Sequence, residues 1–117
     1  MQNKVIINDY IENDPLSEEN LNKTLELVNK IRLSFPNKTI WIYSGYQWNQ
    51  IFNDGVYLTR DCAGWKRREI VKQCTVMVDG KYIDSQRNPA KKWAGSDNQR
   101  VISIPESLKQ GKVITID

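Results

Sequence analysis

The chain has 117 residues, with 17 Lys and Arg against 14 Asp and Glu, no His, two Cys and four Trp. That length makes one small domain over 1–117, and 39% hydrophobic with 26% charged residues excludes a wholly disordered chain. Without histidine there is no Ser-His-Asp triad, no Cys-His pair, no His-ligated zinc and no imidazole acid–base catalysis.

Lys4-Val5-Ile6-Ile7-Asn8 is short and β-branched, which predicts a buried strand. Asp14 and Ser17 are two candidate caps for a following helix, with Glu18 and Glu19 near the positive end of its dipole. Leu21, Leu25, Val28 and Ile31 recur at helical spacing, so an amphipathic helix is expected over about 17–34. Phe35-Pro36-Asn37 ends it. Thr39-Ile40-Trp41-Ile42-Tyr43 predicts a second strand, and strand–helix–strand with short joints predicts a right-handed βαβ unit. Residues 47–65 are ambiguous: Trp48, Ile51 and Phe52 open a helical pattern that Asn53-Asp54-Gly55 interrupts. A short helix over Lys66–Gln73 and a third strand over Cys74–Val78 follow, the strand ending at Asp79-Gly80. Residues 84–99 read as one long polar loop. Val101–Ile104 is a fourth strand, Pro105–Gln110 a helical turn and Val113–Ile116 a fifth strand. The order predicts an α/β fold with a mostly parallel sheet of four or five strands and flanking helices.

Two cysteines are too few for a zinc ribbon or an iron–sulfur cluster on one chain. Cys62 and Cys74 have eleven residues between them and read as reduced cytosolic thiols, so a cytoplasmic location is expected. Cys74 reads as a core thiol and Cys62 as the more reactive one. No run approaches the length of a membrane span. Residues 60–117 carry 12 basic and 7 acidic side chains, against 5 and 7 in residues 1–59. That asymmetry fits an anionic partner or a solvated lysine-rich face. Arg60, Lys66, Arg67, Arg68 and Lys72 surround Trp65, yet without a nucleic-acid motif a docking or solvated face is the better reading.

Ligands of parallel α/β folds collect at the carboxyl ends of strands. Here those ends are Asn8-Asp9, Ser44-Gly45-Tyr46 and Asp79-Gly80. Ser44 offers a hydroxyl, Gly45 a bare backbone and Asp79 a carboxylate; the same residues also suit plain turns. Lys91-Lys92-Trp93-Ala94-Gly95-Ser96-Asp97-Asn98-Gln99-Arg100 is the densest polar segment, either a binding loop or a loop bonded to its own backbone. No residues form a catalytic dyad or a metal-ligand set.

Three segments carry a resemblance. Asp14-Pro15-Leu16 with the stretch from Ile31 to Tyr46, Val76-Met77-Val78-Asp79-Gly80-Lys81-Tyr82, and Trp93 to Arg100 resemble the anaerobic ribonucleotide reductase activating proteins, in order, over about 14–104. The resemblance implies a radical S-adenosylmethionine enzyme with an incomplete (β/α) barrel. Such an enzyme uses a [4Fe–4S] cluster and S-adenosylmethionine to place a glycyl radical on the reductase. It implies that Ser44, Gly45 and Asp79 face the S-adenosylmethionine site. It also implies that the loop of Trp93, Gly95, Ser96, Asp97, Asn98, Gln99 and Arg100 meets substrate or the reductase.

Two departures stand against this family pattern. The C-x-x-x-C-x-x-C cluster motif is missing, and Glu12-Asn13 replace two glycines ahead of Asp14-Pro15-Leu16. The chain therefore reads as the C-terminal portion of an activating protein with a rewritten start. No cofactor is expected on it alone, and it is expected to be inactive in the radical chemistry. The alternatives are a non-catalytic module docking on the reductase or another anionic partner, and, behind it, a small nucleic-acid-binding protein. Exposed strand edges predict a homodimer.

Overall fold

The computed structural model describes residues 3–52 and 62–116. Its sheet has four strands in the order β1 (Lys4–Ile6), β2 (Thr39–Ser44), β3 (Val76–Asp79) and β4 (Arg100–Ser103). The first three run parallel and β4 is antiparallel to β3. The helices are α1 (Leu21–Ser34), α2 (Trp48–Phe52), α3 (Ala63–Lys72) and α4 (Ile104–Gln110). This is the α/β layout expected, and the sheet stays open instead of closing into a barrel.

The strands are nearly all apolar because both faces of the sheet are buried. Ile40, Ile42, Met77 and Ile102 face the helices and pack with Leu21, Val28, Ile70 and Val71. Trp41, Val76, Val78 and Val101 form the opposite face, joined by Ile6, Tyr43 and Ala94. That second face is covered by the long loop, where Trp93 meets Trp41 edge-on at 5.4 Å between ring centroids.

Several boundaries move, each for a local reason. β1 stops at Ile6 because Ile7–Asp9 tightens into a 3-10 turn, but the Asn8 amide supplies one more rung. Its Nδ2 donates to the Tyr43 carbonyl at 2.9 Å and its Oδ1 accepts from the Tyr43 N–H at 2.8 Å. Ser17 makes no cap; its hydroxyl turns back to donate to the Asp14 carbonyl at 2.8 Å. The helix around residue 66 begins at Ala63, because the Cys62 sulfur accepts the Trp65 N–H at 3.3 Å and caps it. The third strand starts at Val76, not Cys74, since Gln73 and Cys74 still bond back into the end of α3. The expected fifth strand shrinks to one bridge, Thr115 opposite Ile102. The chain reaches that edge from the left-handed Gly111 turn, and Thr115 and Ile116 lie exposed with no second layer to hold a longer pairing. The interruption at Asn53-Asp54-Gly55 and the Arg60 position lie outside the described residues.

Arg32 locks three connections to one another. Its guanidinium donates to the carbonyls of Gln73 (2.8 Å), Pro36 (3.2 Å) and Lys38 (2.6 Å) and to Thr75 Oγ1 (3.4 Å). Lysine lacks the planar fork needed to reach these acceptors together. Arg32→Lys is therefore expected to destabilise the fold by about 2 kcal/mol, read as a lowered urea midpoint at unchanged slope.

Candidate functional site

The carboxyl ends of β1, β2 and β3 border a cleft of about 360 Å3 whose wall includes Asn13, Asp14, Tyr43, Ser44, Gly45 and Lys81. A neighbouring depression of about 340 Å3 shares Asp14, Gly45 and Lys81 with it and adds Ser17, Tyr46 and Gln50. The position is the one parallel α/β topology favours for ligands.

Asp14 organises the wall. Its carboxylate accepts the Gly45 N–H at 2.8 Å, the Ser44 hydroxyl at 2.8 Å and the Leu16 N–H at 2.9 Å. Ser44 Oγ in turn accepts the Tyr46 N–H at 3.0 Å, so this hydroxyl is spent on shaping the turn. Gly45 is required by contact: a Cβ there would lie 2.9 Å from Lys81 Cγ. The lysine stem thus crosses the bare backbone between the two depressions. Gly80, at φ 97°, provides the left-handed turn that sends Lys81 across. The sequence reading gave Lys81 no role, although its place directly after the third strand end was a usable signal.

Asp79 is not part of the cleft wall. It is 1% exposed, and its carboxylate accepts the Trp48 N–H at 2.8 Å and Arg100 Nη2 and Nε at 2.6 and 3.1 Å. The hydrogen bond to Asp79 holds the Arg100 guanidinium even further above its ordinary range. Asn13 sits in the left-handed region at φ 65°, a conformation asparagine tolerates, and lines the cleft. Glu12 is exposed, and its carbonyl accepts Asn20 Nδ2 at 2.9 Å.

The loop from Trp93 to Arg100 folds on its own polar groups. Gln99 Oε1 accepts the N–H groups of Gly95 and Ser96 at 2.9 and 3.1 Å, while Nε2 donates to the Gly80 carbonyl at 3.1 Å. Asn98 Nδ2 donates to the Lys81 carbonyl at 2.7 Å, and Ser96 Oγ donates to Asn98 Oδ1 at 2.5 Å. Asp97 accepts Asn88 Nδ2 at 2.7 Å, and Lys91 Nζ donates to the carbonyls of Asp97 and Gln99. The loop is thereby fastened to residues 80–82, and of its residues Gln99 also reaches the cleft wall.

The basic run on α3 is partly absorbed by the fold. Arg67 donates to the Leu16 carbonyl at 2.7 Å and to the Tyr46 hydroxyl at 2.9 Å, and Arg68 donates to the Ile51 carbonyl at 3.2 Å.

The sequence profile of a family described as "4Fe-4S single cluster domain" matches residues 12–102. The chain belongs to this family. It is similar to the anaerobic ribonucleoside-triphosphate reductase-activating protein of Enterobacteria phage T4, 36% identical over 96 residues, 81% of this chain and 51% of the relative. The protein of the same name from Escherichia coli K12 is 32% identical over 88 residues, covering 75% and 49%. That from Vibrio cholerae is 30% identical over 86 residues, covering 74% and 48%. The chain spans about half the length of the curated relatives it matches. No solved structure matches it significantly. No helix among the described residues is long and apolar enough to cross a membrane.

The residues present do not fit the family's cluster. A [4Fe–4S] centre held by protein needs three or four thiolates converging on one point, and the sequence has two cysteines. Cys74 is buried and donates to the Ile70 carbonyl at 3.3 Å, while Cys62 caps α3. Burial pushes the Cys74 thiol from 9.0 up to about 12, with Arg32 pulling more weakly the other way. Among the described residues no three His, Cys, Asp or Glu side chains gather into a metal site.

Two outcomes follow. Arg100→Leu leaves a buried carboxylate with the Trp48 N–H as its remaining partner, and is expected to cost about 3–5 kcal/mol in urea unfolding. The double variant Asp79→Asn/Arg100→Leu recovers part of that loss, because the charge is gone. The neutral Cys74 thiol contributes stability that is complete below pH 9.0 and is lost as pH rises toward about 12. Unfolding curves of Cys74→Val are expected to lack that share of the alkaline decline.

Proposed function

We propose that this chain serves the activation of an anaerobic ribonucleoside-triphosphate reductase and takes S-adenosylmethionine in the cleft at the strand ends. The observation that carries the reading is the cleft itself, with Lys81 laid over Gly45, in a chain of the family whose relatives bear the activating name. The two depressions are of the size small-molecule sites use. Lys81 suits the ligand's carboxylate, the Asn13 amide its polar groups and the Tyr82 ring its base. Ser44, Gly45 and Asp79 then act at two distances: Gly45 beside the ligand, Ser44 through Asp14, and Asp79 by holding Arg100 and the start of α2 in place.

In this reading the chain does not perform the radical chemistry by itself, since one-electron cleavage of S-adenosylmethionine needs a reduced cluster and Cys62 and Cys74 do not provide one. Its partner is the reductase. A second copy of the chain would add at the β1 edge, the outer strand of the sheet beside β2.

Calorimetric titration of the chain with S-adenosylmethionine is expected to give saturable one-to-one binding that Lys81→Ala weakens roughly tenfold. Gly45→Val is expected to abolish it while leaving the far-ultraviolet circular dichroism intact. Anaerobic treatment with iron and sulfide is expected to leave the chain without stoichiometric iron or acid-labile sulfide. Absence of titratable binding in wild type overturns the cleft reading, and a stoichiometric cluster overturns the assignment of the cysteines.

A further inference from the structure

We propose that the outer surface of residues 81–93 is a docking ridge for an acidic, apolar segment of a partner protein. A loop facing water ordinarily keeps its polar side chains outside and its apolar ones underneath. Here that order is reversed at six positions. Ser96 is 0% exposed and Asn98 and Gln99 are half-buried, all bonded within the loop or to residues 80–83. Tyr82, Ile83 and Trp93 are instead 50%, 37% and 36% exposed. The polar network is the scaffold, and it presents Tyr82, Ile83 and Trp93 among the exposed Lys81, Arg87 and Lys92.

Trp93 strengthens the case. Its φ of 67° lies in the left-handed region, which a bulky L side chain adopts only when its surroundings impose it. What imposes it here is the edge contact with Trp41 below and the Gln99 clamp on Gly95 and Ser96 just beyond. Gly95 belongs to the same device, since a Cβ there would press on the Tyr82 ring at 3.0 Å.

Charge decides what the ridge receives. Lys81, Arg87 and Lys92 are exposed along it with Lys91 half-buried beside them, against two carboxylates, Asp84 accepting from the Tyr82 hydroxyl at 3.0 Å and Asp97 from Asn88 at 2.7 Å, so the surface is net positive. Exposed Tyr, Trp and Arg side by side are the residue types that dominate protein interfaces. A nucleic acid would need a continuous track of available cations. The basic helix α3 packs on the other face of the sheet, and its Arg67 and Arg68 are bonded to the carbonyls of Leu16 and Ile51, so it does not extend such a track. The ridge shares Lys81 and Tyr82 with the cleft wall, whereas Ile83, Arg87, Lys92 and Trp93 lie outside it.

Peptide display against the full chain tests this. Selected peptides are expected to combine Asp or Glu with Leu, Phe or Trp, and fluorescence anisotropy of a dye-labelled selected peptide is the readout. Arg87→Glu/Lys92→Glu, whose two side chains are exposed, is expected to weaken binding roughly tenfold or more while keeping the melting temperature. Trp93→Ala is expected to weaken it comparably, and Lys109→Glu on α4 to leave it unchanged. Failure to enrich peptides, enrichment without acidic residues, unaltered binding by the Arg87/Lys92 variant, or displacement of the peptide by a single-stranded oligonucleotide each overturns the proposal. Because none of these readouts involves S-adenosylmethionine, failure here and failure of the cleft reading are distinguishable.

Discussion

The buried Asp79 carboxylate is the point on which the rest of this structure depends. A charge removed from water at the end of a central strand must be matched by partners, and three donors arrive from two other elements. Arg100 comes from β4 and therefore fixes the antiparallel register, Asp79 opposite Arg100. The Trp48 N–H comes from the first turn of α2 and fixes how that short helix leaves β2. With both ends pinned, Gly80 turns at positive φ, Lys81 crosses Gly45, and Gln99 comes within reach of the Gly80 carbonyl. Cleft and ridge are two sides of the same anchored turn.

The same device recurs wherever an element is too short to stabilise itself. β1 has three residues and is extended by the Asn8 amide, which imitates a backbone rung on Tyr43. The turn at Asp14 is tied to the end of β2 by a carboxylate taking the Ser44 hydroxyl and the Gly45 N–H, while the Leu16 N–H closes the turn itself. Arg32 binds carbonyls left over after α3 and before β2, and Arg67 binds the Leu16 carbonyl in the turn ahead of α1. Polar side chains here serve as joints of the fold, which is why so few of the charged residues singled out by sequence remain for a ligand.

Membership in a cluster family and the absence of cluster ligands meet in one chain without conflict of fold. The profile match runs over β2, β3, most of β4 and the loop, and that part needs no metal to pack: Ile40, Ile42, Met77 and Ile102 bury against α1 and α3 on one face. On the other face the loop carrying Trp93 closes over Trp41, Val76, Val78 and Val101. The cysteines belong to this packing, one as a core thiol and one as a helix cap. The family likeness therefore rests on this packed part of the chain, whose two cysteines are too few to hold a cluster.

The sequence by itself determined the α/β class, the four strands within a residue or two, the helix of Leu21, Val28 and Ile31, and the three strand ends where the cleft lies. Those features follow from local periodicity and from Gly, Pro and Asp at turns, which act over a few residues. It also determined the family, through motifs in fixed order. Only the tertiary structure decided which polar residues are spent on the fold and which line the cleft. Ser44 and Asp79 looked equally available beside their strands, yet one is spent on Asp14 and the other on Arg100, partners 30 and 21 residues away. Likewise Trp93 and Ser96 read as one polar loop, and only packing on Trp41 and the Gln99 clamp turned the serine inward and left the indole at the surface. Hydrogen-bond partners that far apart leave no trace in local pattern, because any residue with the right donor can meet the acceptor once the sheet has brought them together.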